Sequence, residues 1–213
     1  MPQRSDSSLH DLILADIGTG AFPFGTRLKA QDLALRYGTS SIPVREALRQ
    51  LQGEGIVEIA PNKGATVARV DATVLREISE IVGLLHRHFT VSFARYCSEA
   101  DLIDLEAAQT TLEGIPPDDR VALERADCDF HAVIARRCGN RRAYRLWLEQ
   151  RRILTALSAP APLSATRVAA IISEHRALIA AFRAGDVERA RKCIERHVGN
   201  AGAIARNHMA RLP

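Results

Sequence analysis

Apolar positions at the start of the chain recur at helical spacing. Leu9, Leu12, Ile13 and Ile17 share one face, and Gly18 and Gly20 close the segment, which predicts a first helix. Gln31 to Tyr37 predicts a second, short helix with Leu33, Ala34 and Tyr37 as its apolar side. Gly38-Thr39-Ser40-Ser41 reads as a tight turn. Pro43 then falls in the first turn of a third helix, where its missing N–H costs nothing. That helix would bury Val44, Ala47, Leu48 and Leu51 and stop before Gly53 and Gly55. Beyond it the pattern turns strand-like over Ile56–Ile59 and Ala65–Val70, with Pro61-Asn62-Lys63-Gly64 as a hairpin turn. Helix, turn, helix and hairpin in this order predict a winged helix-turn-helix over residues 1–71.

The pattern changes near residue 71. Glycine and proline thin out, and long helical stretches fill the gaps. Leu75, Ile78, Ile81/Val82, Leu85, Phe89, Phe93 and Tyr96 trace one long amphipathic helix. Further helices are predicted over about 99–112, 118–138, 140–158, 164–184 and 186–209. Gly139-Asn140, Pro160 with Pro162, and Gly185-Asp186 separate three of these pairs. The fold class expected is mainly α: an N-terminal winged helix-turn-helix, and an antiparallel all-α bundle over residues 72–213.

Composition narrows the picture further. The chain has 213 residues, 46% hydrophobic and 25% charged, which is ordinary globular usage. Its apolar runs fall far short of the roughly 18 residues a membrane helix needs. The start of the chain has no apolar core of a secretion signal, and the four cysteines are scattered. Both features predict a cytoplasmic protein without disulfides. The net charge of +4 does not itself announce a nucleic-acid binder. Local patterning does more: Arg45 and Arg49, four apart, would project together from the face of the third helix opposite its apolar side. Such arginines suit the major groove, and Lys63 at the hairpin tip would suit the neighbouring groove or backbone. A run of arginines between Arg136 and Arg152 reads more simply as a solvated face with inter-helix pairing than as a second DNA surface.

In the bundle, Asp127 and His131 share a helix face, and His175 and His197 lie on the last two helices. Three imidazoles and a carboxylate can bind a first-row divalent metal and leave positions open. By spacing alone the same residues read more simply as a surface pair and two boundary histidines. Cys128 is a candidate thiolate ligand or a small core residue.

The stretch Phe22–Val70 resembles the GntR family of bacterial transcription regulators. The resemblance rests above all on Pro43-Val44-Arg45-Glu46-Ala47-Leu48-Arg49-Gln50-Leu51, then on Glu54-Gly55-Ile56-Val57 and Gly64-x-x-Val67. It implies DNA contacts from Arg36, Ser41, Arg45, Arg49 and the wing around Lys63 and Gly64. Ser41 stands where the family usually has arginine, and Phe24-Gly25 where it has Pro-Gly. Asp127-x-x-x-His131, Glu174 to Ile179 with Gly185-Asp186, and Ala190 to His197 resemble the FCD ligand-binding domain of the FadR-type subgroup. That resemblance implies a divalent metal on Asp127, His131, His175 and His197, with zinc expected before nickel or manganese. It also implies a small organic-acid effector on that metal and a homodimer bound to double-stranded operator DNA. The subgroup often carries Val-Arg-x-x-Leu-Glu on the first long helix; here Val82 and His86 occupy the Arg and Glu positions, so both are candidate effector contacts. A metal-dependent enzyme and a direct metal sensor are the alternatives. No positioned nucleophile or general base is evident in the sequence, which predicts that the chain is not an enzyme.

Overall fold

The computed structural model describes residues 8–60, 64–69, 72–158 and 163–209. They fall into two compact units, one within residues 1–74 and 155–160, the other within 75–154 and 161–213.

The first unit contains α1 (Leu9–Gly18), α2 (Ala30–Tyr37) and α3 (Ser41–Gly53), with strands β1 (Arg27–Leu28), β2 (Val57–Ala60) and β3 (Gly64–Val67). α1 begins in a capping box, Ser8 accepting from the Asp11 backbone and Asp11 reaching back to Ser8. Gly38 ends α2 in the left-handed region (φ 65°), which glycine enters without strain and which turns the chain sharply toward α3. α3 packs against both α1 and α2. Its buried positions are Val44, Ala47, Leu48 and Leu51, as the spacing predicts. The strands form one antiparallel sheet in the order β1-β3-β2, with Arg27 opposite Thr66 and Val57 opposite Val67.

Three details differ from the sequence expectation. β1 is a third strand that no alternation reveals, because two residues are too few to show a period. On α1, Leu14 is buried and Leu12 is 41% exposed. The α1 face is also completed by a buried polar residue, His10, rather than by apolar ones alone. Its Nε2 lies 2.9 and 2.8 Å from the two Glu54 carboxylate oxygens, and its Nδ1 3.2 Å from Asp11 Oδ1.

A carboxylate at each nitrogen favours the protonated form of the imidazole. The Glu54 hydrogen bond outweighs burial and raises the His10 pKa above its usual value. The stability this pair contributes is therefore fully present below about pH 6.5 and is lost as pH rises through the higher folded value. Thermal unfolding of the first unit, followed between pH 6 and 9, should show declining stability in the wild type. His10→Gln should flatten that decline, and an identical pH dependence in the variant would count against the clamp.

The described elements beyond residue 71 are all helices: α4 (Ala72–Tyr96), α5 (Glu99–Glu113), α6 (Arg120–Arg137), α7 (Arg141–Ser158), α8 (Ala165–Arg183) and α9 (Val187–Met209). α5 packs on α6 and α8, and α8 on α9. Side chains of Ser98, Asp119, Ser164 and Asp186 accept from backbone N–H groups at the helix starts. The core includes Phe89, Phe93, Phe130 and Trp147. Tyr96, expected on the buried face of α4, is 66% exposed, because the helix ends there. Leu146, next to the fully buried Trp147, is 43% exposed. No described helix is long and apolar enough to cross a membrane.

Candidate nucleic-acid interface and metal centre

Arg45 and Arg49 are exposed on α3, on the side away from its buried residues. They line a groove of about 370 Å³ together with Arg27 and Lys29, floored by Leu48 and Ala65. No acid lines it, and none of the four cations has a partner among the described residues. Gly64 lies at its edge, and Ser41 is the first residue of α3. Arg36 is different. It is bound to Asp16, with Nη2 2.8 Å from Oδ2, and it lies over the Phe22 ring at 5.1 Å. Tyr37 donates to the same carboxylate at 2.7 Å. Lys63 lies outside the described residues.

In the second unit, α6, α8 and α9 bring Asp127, His131, His175 and His197 together, with one ligand atom of each inside a 4.8 Å span. Asp127 and His131 are one turn apart on α6, so they reach the same point. His175 Nε2 lies 3.3 Å and His131 Nε2 4.0 Å from Asp127 Oδ1. His131 Nε2 and His197 Nε2 are 3.1 Å apart. Metal–ligand bonds of about 2.0–2.2 Å put ligand atoms about 3 Å apart at right angles and about 4 Å apart when opposite, so these separations fit one ion.

Outer partners aim the rings. His175 Nδ1 donates to Gln109 Oε1 at 2.9 Å, which leaves Nε2 as a bare lone pair. Gln109 is turned by donating to Glu113, itself clamped by Arg176 at 2.6 Å. His197 Nδ1 donates to Glu174 Oε2 at 2.8 Å, so its Nε2 also points inward as an acceptor. Burial opposes the charge on Glu174, but hydrogen bonds from His197 and Asn200 hold its pKa at about 2. Arg151 takes Asp127 Oδ2 and turns Oδ1 toward the imidazoles.

Two facing acceptors, Asp127 Oδ1 and His175 Nε2, are then buried with no hydrogen-bond partner. A buried pair of lone pairs in this state is costly unless a cation lies between them. Burial favours the neutral forms of His131 and His175, pushing both pKa values below the ordinary histidine value. Burial works against Asp127 ionising, yet the Arg151 guanidinium beside it holds its carboxyl well below the usual carboxylate range. Asp127, His131 and His175 are therefore favoured in the protonation states a metal needs. The buried Asp/three-His cluster can bind a metal.

Comparison with known proteins decides the family. The family model for the FCD domain matches residues 77–200, and that for bacterial regulatory proteins of the gntR family matches residues 6–67. The chain belongs to the GntR family. It is a DNA-binding transcriptional regulator with a C-terminal FCD domain, and not an enzyme. This GntR-family chain is 29% identical over 202 residues to a probable D-xylose utilization operon transcriptional repressor of Paenarthrobacter nicotinovorans, covering 90% of this chain and 84% of that protein. It is 28% identical over 179 residues to the transcriptional repressor NanR of Citrobacter rodentium, covering 75% and 69%. Its fold is similar to that of E. coli McbR/YncC, with a TM-score of 0.77 at 23% identity over 94% and 96% of the two chains.

The structure brings all four sequence-predicted ligands into one cluster. His86, a candidate effector contact, stands edge-on to His131 with ring centroids 4.3 Å apart, and accepts from Trp147 Nε1 at 2.9 Å. Val82 is buried one turn earlier on α4. Cys128 is not part of the cluster, and burial pushes its thiol pKa up. Sequence reasoning passed over Gln109, Arg151 and Glu174, which aim the ligands. Glu174 precedes a ligand directly, but nothing in its spacing distinguishes it from a solvated acid. Arg151 was expected on a solvated face; instead it is largely buried against Asp127, while Arg137 pairs with Asp101 at 2.8 Å.

Proposed function

We propose that this regulator is a homodimeric, metal-containing repressor released from, or tightened on, its operator by a small organic acid. The observation that carries the metal is the buried, unpartnered pair Asp127 Oδ1 and His175 Nε2, with two more imidazole nitrogens turned to the same point. A set of three imidazoles and one carboxylate suits zinc, nickel or manganese, and zinc is the first choice. Bound there, the metal would offer a positive centre to a carboxylate. His86 stands against the ligand His131, and Val82 lies one turn earlier on the same helix; both are proposed effector contacts. Repression is the role named for the curated relatives above. For DNA, the proposed contacts are Arg45, Arg49, Ser41, Gly64, Lys63 and Arg36. A dimer presents two recognition helices to two half-sites, which a single module with few base contacts needs.

The test is fluorescence anisotropy on the duplex upstream of the protein's own gene, with and without chelator, and with a panel of small mono- and dicarboxylates. Operator affinity should change at least about fivefold with an effective acid, and only in metal-loaded protein. A change caused by metal alone, indifferent to every acid, would instead make the protein a direct metal sensor.

A further inference from the structure

The groove on the first unit contains two cations that are not on the recognition helix. Arg27 belongs to β1 and Lys29 immediately precedes α2, yet both line the same concavity as Arg45 and Arg49. Both are exposed, and neither has a partner among the described residues. The Arg27 guanidinium reaches over the start of β3: a Cβ placed on Gly64 would lie 3.7 Å from its Nε. Residue 64 carries no side chain there to cover the guanidinium.

Position decides what such cations meet. A helix with its side chains is about 10–12 Å across and fills a major groove about 12 Å wide. Groups on the helix face the base edges. Groups beside the helix face the sugar–phosphate walls. Arg27 and Lys29 lie beside α3, set back on β1 and at the α2 start. We propose that Arg27 and Lys29 clamp the phosphate backbone of the operator in this groove, beside the bases that Arg45 and Arg49 read. This rests on the DNA-binding role of the unit and adds to it a wall contact from β1.

The measurement is the salt dependence of binding to the protein's own upstream duplex and to a scrambled duplex of equal length, using the full chain. Each phosphate contact contributes about 0.9 to the slope of log K against log salt, or about 3.5-fold in affinity between 50 and 200 mM. Arg27→Gln with Lys29→Gln should therefore make the slope shallower by about two. The fall in affinity across that salt range should shrink by about tenfold. Both duplexes should weaken together, leaving the specificity ratio unchanged. The charge-preserving pair Arg27→Lys with Lys29→Arg should keep the wild-type slope, which separates loss of charge from damage to β1. An unchanged slope in the double glutamine variant overturns the clamp, as does a collapse of the specificity ratio, which would make these residues base readers. If Arg49→Ala also leaves binding unchanged, the DNA face itself is misplaced, and the two failures are told apart.

Discussion

His175→Ala should abolish the stoichiometric metal binding proposed for the FCD domain. Wild-type protein loaded with zinc and dialysed should retain about one ion per chain, as one four-ligand centre supplies. The variant should bind it more than 100-fold more weakly, since loss of an outer partner alone typically costs about 10–100-fold. The decisive readout is the stability increment that metal adds, because alanine at a buried position lowers the melting temperature by itself. His175 stacks on Phe130 at 3.9 Å and bonds to Gln109, and both contacts go with the ring. In wild type, metal at 100 times its Kd adds about 2.7 kcal/mol, a rise of about 5–10 °C for a domain of this size. In His175→Ala that increment should vanish, whatever the apo value. The four candidate ligands lie on three helices, so a bound ion would crosslink α6, α8 and α9. A wild type that takes up none of zinc, nickel or manganese would leave the four residues as a polar core.

How far the sequence reached depended on the kind of pattern involved. The helices of both units were legible because apolar positions at 3.6-residue spacing, with Gly38, Gly139 and Gly185 as breaks, state their period over several turns. The recognition helix was legible to the residue: Val44, Ala47, Leu48 and Leu51 are the buried positions of α3. Strand β1 was not, since a two-residue strand exists only through its pairing with β3. Without β1, Arg27 had no place in the DNA face. Residue type and helix position named the ligand quartet as a candidate and resemblance gave it its role, while spacing placed only Asp127 and His131 on one face. The outer partners lie on other elements: Gln109 on α5 and Arg151 on α7 reach the centre through tertiary packing. A glutamine and one arginine among many carry no local signal of that role. His10 illustrates the converse case. A histidine on an apolar face is unremarkable until Glu54, 44 residues away in sequence, meets it.

The second large effect concerns α3. Arg45→Ala with Arg49→Ala should lower operator affinity by about 2–5 kcal/mol, roughly 30- to several thousand-fold, if each guanidinium reads a base. The structure gives these two side chains no other task. They are exposed, unpaired among the described residues, and one turn apart on the helix the winged fold presents. Their replacement should accordingly change folding stability by no more than about 0.5 kcal/mol, so lost binding cannot be assigned to unfolding. Arg36 provides the internal comparison. Its guanidinium is committed to Asp16 and lies over Phe22, so any DNA contact must be made by groups left over or by breaking that pair. Arg36→Ala should then cost operator affinity well under 1 kcal/mol while loosening the α1–α2 contact it makes with Asp16. Should Arg36→Ala weaken operator binding as much as the α3 double variant, the pair with Asp16 opens on DNA and Arg36 belongs to the reading surface. Should the α3 double variant bind its operator as wild type does, the recognition helix does not enter the groove through this face.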